Sequence, residues 1–349
     1  MIPVIYTIFG LIGIAGVVDS QLRSRHVRLI LALVFAITLM WLAGFRTIGI
    51  DQDSIGYYNY YNLDEDHMAL AAEPTFVLIS RFAHWASPLG GLTIVFVIYA
   101  LLGVSVKFFA ISKLSNQFWL CVLTYFSQYF LLHEMTQIRA GCASAFILMA
   151  VYYTYRRNLF RYIIAITAAV FFHFSAIVCI PLYVLSNKVS NFKRIMIGIA
   201  IPLALLFRQV RLNISFVVPV DLIDNKINVY ATSITYNSID LNPFNLVYLV
   251  KYALLYLLLF REKQISKSVP NFMLMLQIYA LSMFAYLALS YNVAFAVRIS
   301  ELLGIVEIVL IPTLVYAFRD RPVGIAAVLS LAVGNLMLGL YQTELIQTI

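Results

Sequence analysis

Apolar runs at about 2–18, 27–44, 92–112, 116–134, 137–155, 159–173, 174–187, 194–210, 243–260, 269–290, 297–318 and 322–342 occupy most of this chain. A helix needs about 20 residues to cross the hydrocarbon core of a bilayer. Inside lipid, each backbone N–H and C=O must find a partner within its own segment, and that requirement selects helices for runs of this kind. Only 11% of the residues are charged, against about 25% in a soluble domain, too few to solvate the surface of a chain of 349 residues. The expected fold is therefore all-α, a polytopic membrane helix bundle of about 12 crossings. It forms a single integral membrane domain, 1–349, with no length left for a soluble one. The runs 159–173 and 174–187 are short. They predict a tight hairpin of tilted helices or one longer broken crossing.

The formal net charge of +8 would suggest nucleic-acid binding in a soluble protein. Here the positive residues sit in short loops between apolar runs, where they orient a membrane protein instead, and no nucleic-acid partner is expected. With the N-terminus outside, the cytoplasmic loops hold Arg23, Arg25, Arg28, Lys107, Lys113, Arg156, Arg157, Arg161, Lys188, Lys193, Arg194, Arg261, Lys263, Lys267, Arg319 and Arg321. That is 16 of the 24 Lys and Arg, and only Asp19, Glu262 and Asp320 of the 16 acids share that side. Residues 73–90 end in Ser87-Pro88-Leu89-Gly90-Gly91. A full crossing there would turn Lys113, Arg156 and Arg194 outward, so this segment is read as a re-entrant or interfacial helix on the outer side. The competing layout makes it a thirteenth crossing, with 159–187 as a single span. Two long outer loops follow from this arrangement, about 45–73 and 211–242. The first carries Asp51, Asp53, Asp64, Glu65, Asp66 and Glu73 with Tyr57, Tyr58, Tyr60 and Tyr61.

Cys121, Cys142 and Cys179 lie in apolar runs without metal-ligand spacing and read as small buried hydrophobes. The first run has no basic leader and no small-residue cleavage site, and is expected to stay as a membrane helix. No Walker loop, H-E-x-x-H or G-x-S-x-G occurs, which argues against an ATPase, a zinc protease or a serine hydrolase of those types. Asp51-Gln52-Asp53 has the letters of a sugar-nucleotide metal motif, but sits on the predicted outer side, where sugar nucleotides are absent. Neither a metal nor a cofactor is expected.

Eight basic residues are left over: Arg46, Arg81, Arg139, Arg208, Arg211, Lys226, Lys251 and Arg298. A cation at the bilayer centre costs about 2.5–3.5 kcal/mol on the insertion scale, so such residues pair or line a polar cavity. Arg46 is followed by Gly49 and Asp51, a spacing that lets the acids fold back over it, either as a sugar or phosphate site or as a salt bridge fixing the loop. Gln137 and Arg139 open a crossing, where the helix dipole is also positive and suits an anion; His133 and Glu134 lie about a turn away. The alternative is a snorkelling arginine. His173, between Phe171-Phe172 and Phe174, is expected at the tip of the 159–187 hairpin, as a general base or a hydrogen-bonded core histidine. Arg298 and Glu301 share a helix face. Lys251 and Glu307 are expected to pair with each other as structure.

Taken in order, these residues resemble the EpsG group of bacterial Wzy-type polysaccharide polymerases. The likeness rests on Phe45-Arg46 with Gly49 and Asp51, then Tyr57 or Tyr58, Glu73-Pro74, Gln137-x-Arg139 and His173-x-Ser175. It covers roughly residues 1–180; the C-terminal half matches in helix pattern and in Arg298. The resemblance implies a GT-C-like, metal-independent glycosyltransferase in the bacterial inner (plasma) membrane, with its site facing the periplasm or exterior. Such an enzyme polymerises oligosaccharide repeat units linked to undecaprenyl pyrophosphate and releases undecaprenyl pyrophosphate, in O-antigen or exopolysaccharide biosynthesis. Its partners would be the lipid-linked donor and acceptor glycans, the bilayer and a chain-length regulator. A pyrophosphate leaving group needs cations where charge develops, which points to Arg139 and Arg298, then Arg46. The acceptor hydroxyl needs a base, with His173 first and Asp51 or Glu73 second. Asp53, Tyr57, Gln137 and Glu301 would bind substrate.

Two other classes compete. A lipid-linked oligosaccharide flippase also has many helices and buried charges, but usually two pseudo-repeated halves, and none is visible here. A membrane glycan acyltransferase would need a histidine reached by a cytoplasmic acyl donor, whereas His173 is expected outside.

Overall fold

The computed structural model describes residues 1–19, 24–63, 67–68, 72–87, 90–210 and 241–346. Every regular element among them is helical, in agreement with an all-α membrane bundle. Of the predicted loop 211–242, residues 211–240, including Arg211 and Lys226, lie outside the described residues, as do Arg23, Asp64, Glu65 and Asp66.

The first helices are α1 (Ile2–Val18) and α2 (Arg25–Gly44), followed by the short α3 (Ser54–Tyr61) and α4 (Pro74–Ala86) and the long α5 (Gly91–Leu114). Next come α6 (Phe118–Thr124), continued by a π-helix at Tyr125–Thr136, then α7 (Ile138–Tyr155) and α8 (Leu159–Phe172). A 3₁₀ segment, Phe174–Val184, leads to α9 (Asn191–Gly198) and α10 (Ala200–Val210). The second half holds α11 (Leu246–Phe260), α12 (Phe272–Ala288) and α13 (Val293–Gly304), a broken stretch at Glu307–Leu310 and Ile311–Tyr316, and α14 (Arg321–Met337) with a final π turn at Leu338–Gln342. Each predicted apolar run falls on one of these elements. The run 297–318 is the least regular: its helix starts earlier, at Val293, and the stretch is interrupted after Gly304.

Side-chain caps start several of these helices. Asn158 accepts from the Arg161 N–H at 3.0 Å, Asn245 from Tyr248 at 3.1 Å and Asn292 from Phe295 at 3.2 Å. Each cap satisfies one of the donors that a helix N-terminus otherwise leaves open. On α2 the residues Leu29, Ile30, Leu33, Val34, Ile37 and Trp41 are exposed, a helical-period stripe that suits contact with lipid. By contrast α12 is buried along nearly all of its length.

The segment 159–187 takes the hairpin form. Tyr162, near the start of α8, donates to the carbonyls of Cys179 and Ile180, and Arg157 reaches the carbonyls of Tyr183 and Leu185. The 14 residues of α8 rise roughly 21 Å and the 11 of the 3₁₀ arm roughly 22 Å. The tighter winding lets the shorter arm match the longer one and leaves His173 at the tip. The 13-residue α4 spans only roughly 20 Å, too short to cross a core of about 30 Å. Phe76 near its start packs on Tyr99 of α5, while Ala83 near its end lies beside Gly91 at the start of α5. The helix thus runs back along α5, packing that is consistent with the re-entrant or interfacial reading.

The basic loops meet at one end of the bundle. Arg194 pairs with Glu262 at 3.0 Å, Lys193 donates to Ser186, Asn187 to Pro270, Gln264 to Phe318 and Arg28 to Asp19. A cavity of about 180 Å³ at this end is bounded by Lys113, Asn116, Tyr155, Asn271 and Tyr316. Lys107 does not belong with these residues, contrary to its predicted loop position. It lies within α5, fully buried, with its ammonium 2.5 Å from Glu134 and 2.8 Å from the Gly141 carbonyl. Glu134 also accepts from Tyr125 at 2.9 Å. Gly103 makes room for this carboxylate, since a Cβ there would fall 2.2 Å from its oxygen.

A buried pair that loses one member leaves an uncompensated charge, at about 3–5 kcal/mol. Glu134→Ala should therefore lower thermal stability in detergent sharply, while the paired replacement Lys107→Met with Glu134→Leu should recover most of the loss. Melting curves of the two variants beside the wild type check this.

Candidate functional site

At the opposite end, α2 runs out at Gly44 and the chain turns over its own last residues. The Arg46 side chain is fully buried. Its Nε donates to Asp51 Oδ2 at 2.9 Å, its Nη1 to the Ala43 carbonyl at 2.6 Å, and its guanidinium lies 3.7 Å from the centre of the Phe96 ring. Gly49 makes the turn possible with φ of +90°, a conformation that a side chain disfavours. Asp51 Oδ1 then accepts from the N–H of Asp53 at 3.0 Å and of Ser54 at 2.9 Å. Both oxygens of Asp51 are engaged, so this pair fixes the loop and starts α3.

Glu73 precedes Pro74, and a residue before proline is pushed towards extended backbone. Its φ of −71° and ψ of 153° are extended, and its side chain does not cap its own helix. The carboxylate instead reaches two segments distant in sequence. Oε2 accepts from Arg139 Nη1, and Oε1 lies 3.0 Å from His173 Nδ1. Arg139 is placed by the start of α7, one residue past its first, and His173 by the end of α8, where it is the C-terminal cap. The guanidinium of Arg139 is 5.7 Å from the ring centre of Tyr57, 5.5 Å from Tyr60 and 5.9 Å from Phe76. Side-chain exposure is 7% for Glu73, 14% for Arg139 and 13% for His173, so the group opens on solvent only through Arg139 and His173.

Asp53 sits between the two assemblies. Arg139, Arg298 and Arg46 all act on it electrostatically, and its carboxylate accepts no hydrogen bond among the described residues. Burial, then the neighbouring Asp51 charge, pushes its pKa above the usual carboxylate value, and the three arginines oppose the shift. Arg298 lies in the second turn of α13, and Glu301 below it is acted on by both Lys251 and Arg298. Tyr57 is 5% exposed. It packs beneath Arg139 between Phe76 and Phe96, as support for the cation. Gln137 caps α7 by backbone, and its half-buried side chain makes no hydrogen bond among the described residues.

The structure thus joins Glu73, Arg139 and His173, with Asp53 and Arg298 in electrostatic reach, and sets Arg46 with Asp51 apart as an anchor. It separates Arg139 from His133 and Glu134. Those two face the interior, His133 Nδ1 being 3.0 Å from Ser144 Oγ and Glu134 holding Lys107. Gly141 explains this, because its missing side chain lets the His133 carbonyl lie against α7 and the turn closes inward. The Lys251–Glu307 pair forms as expected, at 2.9 Å, and Tyr129 and Gln128 also donate to Glu307. Tyr60 belongs to the tyrosine cluster of the first outer loop, whereas Phe76 and Phe96 are the site residues that the sequence did not announce. Their aromatic character is common in this chain and carries no positional signal.

A carboxyl whose pKa rises on folding favours the folded state when protonated. Its contribution is full below the unfolded pKa and is lost as pH rises through the folded value. Asp53→Asn should therefore raise the melting temperature at neutral pH, with the difference from wild type shrinking as pH falls into the carboxylate range. A melting-temperature series against pH measures this.

A search of curated proteins and of solved structures returned no match to the chain. The sequence profile described as the EpsG family does match, over residues 29–343, well beyond the roughly 180 residues on which the motifs alone rest. That span takes in both the Glu73–Arg139–His173 cluster and Arg298, and on it this chain belongs to the EpsG family.

Proposed function

We propose that this integral membrane protein is a glycosyltransferase that polymerises undecaprenyl-pyrophosphate-linked oligosaccharide repeat units and releases undecaprenyl pyrophosphate. Membership of the EpsG family supports a function of the polysaccharide-polymerase kind. The finer reading rests on one observation: Glu73 holds Arg139 and His173 together on two oxygens of one carboxylate.

That geometry suits the chemistry. Glu73 occupies one of the five guanidinium donors that Arg139 carries and orients the rest. With Arg298 nearby, these donors can meet the negative charge that grows on a departing pyrophosphate. A carboxylate only accepts hydrogen bonds, so contact with Glu73 places the ring proton of a neutral His173 on Nδ1. Nε2 is then the lone-pair nitrogen. In the reaction an acceptor hydroxyl oxygen bonds to the anomeric carbon of the donor glycan. Its proton passes to His173 Nε2, and the bond from that carbon to the pyrophosphate oxygen breaks with its electron pair on the oxygen. Asp53, whose carboxylate accepts no hydrogen bond among the described residues, accepts sugar hydroxyls. The basic loops at the far end support a site on the periplasmic or exterior face of a bacterial inner membrane, under the positive-inside rule.

The test is purified protein in liposomes with lipid-linked repeat units and no other enzyme. Glycans should lengthen on the lipid carrier. Arg139→Ala combined with Arg298→Ala, still folded, should cut kcat/KM by at least about 10²-fold. Wild-type chain growth in that variant would sink the pyrophosphate assignment, and transfer of intact units across the bilayer without elongation would favour a flippase. Glu73→Gln should lower kcat about 10²-fold, since it loosens both partners at once. Single-turnover rates measure that effect.

A further inference from the structure

The loop carrying Asp51 and Asp53 is held from outside by the last described residues of the chain. Gln52 is exposed, and its Nε2 donates to the carbonyl of Thr343 at 2.6 Å and to that of Glu344 at 3.4 Å. The neighbouring Asp51 forms an antiparallel bridge with Ile346, alone among the described residues in making such a pairing. Leu345 is 8% and Ile346 2% exposed, so this segment is seated and not merely near. The Leu345 N–H donates to the Gly339 carbonyl at 3.0 Å, which ties the segment back to the end of the last crossing, where Gly339 lies beside Leu131.

The backbone of Glu344 has a φ of +47°. A residue with a side chain adopts this left-handed region at a cost and keeps it where surrounding contacts over-determine it. Here those contacts are the amide of Gln52 on one flank and the burial of Leu345 and Ile346 on the other. Within the loop itself, the Arg46–Asp51 pair closes the stretch at its two ends and the Ile50 to Thr47 turn and the Gly49 to Ser54 bond hold its middle, and Gly49 is its freest residue. Two of the loop's three successive residues 51–53 are gripped by the far end of the chain. The third, Asp53, is the one whose carboxylate accepts no hydrogen bond among the described residues.

We propose that the segment Thr343–Ile346 is a positioning strap for the substrate site: it clamps Gln52 and Asp51 so that the Asp53 carboxylate stays presented towards Arg139 and Arg298. The role of Asp53 in binding substrate rests on the polymerase reading above; the clamp itself does not. The positioning residues are Gln52 and Ile346, neither of which touches the reacting atoms. They join the end of the last crossing to the loop after the second, and so close the site across the whole length of the chain.

Two variants test this. Gln52→Glu keeps size and exposure but removes the donor and faces two carbonyls with a carboxylate. Ile346→Asp unseats the buried end, and Ile346→Val is its conservative control. Hydrogen exchange of the purified protein should show faster amide exchange at 50–54 in Gln52→Glu and Ile346→Asp, and wild-type exchange in Ile346→Val. In the liposome assay the first two should raise KM for the lipid-linked unit about tenfold with kcat nearly unchanged, the mark of lost binding rather than lost chemistry. Unchanged exchange at 50–54 in Gln52→Glu, a surface change that does not threaten folding, overturns the strap. Faster exchange with wild-type KM overturns its positioning role. Should the wild type elongate no glycan, the polymerase reading fails, and the exchange result still decides whether the strap holds the loop.

Discussion

Charge taken out of water must be answered by charge or by hydrogen bonds, and the candidate site is organised by one carboxylate that meets this demand. Glu73 sits at the start of a helix too short to cross the bilayer, next to a proline that turns it away from that helix. Its two oxygens take Arg139 from the start of one crossing and His173 from the tip of a hairpin, 66 and 100 residues away along the chain. Everything polar nearby is arranged around that junction. The aromatic rings of Tyr57, Tyr60 and Phe76 wall the guanidinium, and Asp53 and Arg298 extend the field towards the second half of the protein.

Deeper in the bundle the same demand has a different result. Lys107 with Glu134 and Lys251 with Glu307 are met by tyrosine, glutamine and backbone partners. Within a membrane, apolar contact between helices competes with equally apolar lipid, so close approach of small residues and interhelical hydrogen bonds decide which helices adjoin. Gly103 and Gly141 supply the close approach and the two ion pairs supply the bonds. These networks are read as architecture, since their groups face one another, whereas Arg139, His173 and Asp53 retain accessible polar atoms.

Much of this was legible in the order of the residues. Twelve apolar runs predict the helices, a charge balance predicts which loops assemble, and Glu73-Pro74, Gln137-x-Arg139 and His173 mark the site because polar groups are expensive in such surroundings. The pairing of Lys251 with Glu307 was readable for the same reason. Lys107 was misplaced because periodicity locates a helix end only to within a few residues, and a lysine about two turns inside its helix was counted with the loop charges. His133 and Glu134 were grouped with Arg139 by nearness along the chain, which says nothing about the direction in which a turn faces.

The sequence by itself determined that this chain lives in a membrane, that its helices carry polar residues at one end, and which family it resembles. All three follow from local quantities: hydropathy, charge and short motifs. Only the tertiary structure decided that Arg46 and Asp51 form an anchor, that one carboxylate serves Arg139 and His173 together, and that Gln52 meets Thr343 and Glu344. Those outcomes depend on which segments fold against which, and so on distances and directions between groups as much as 292 residues apart.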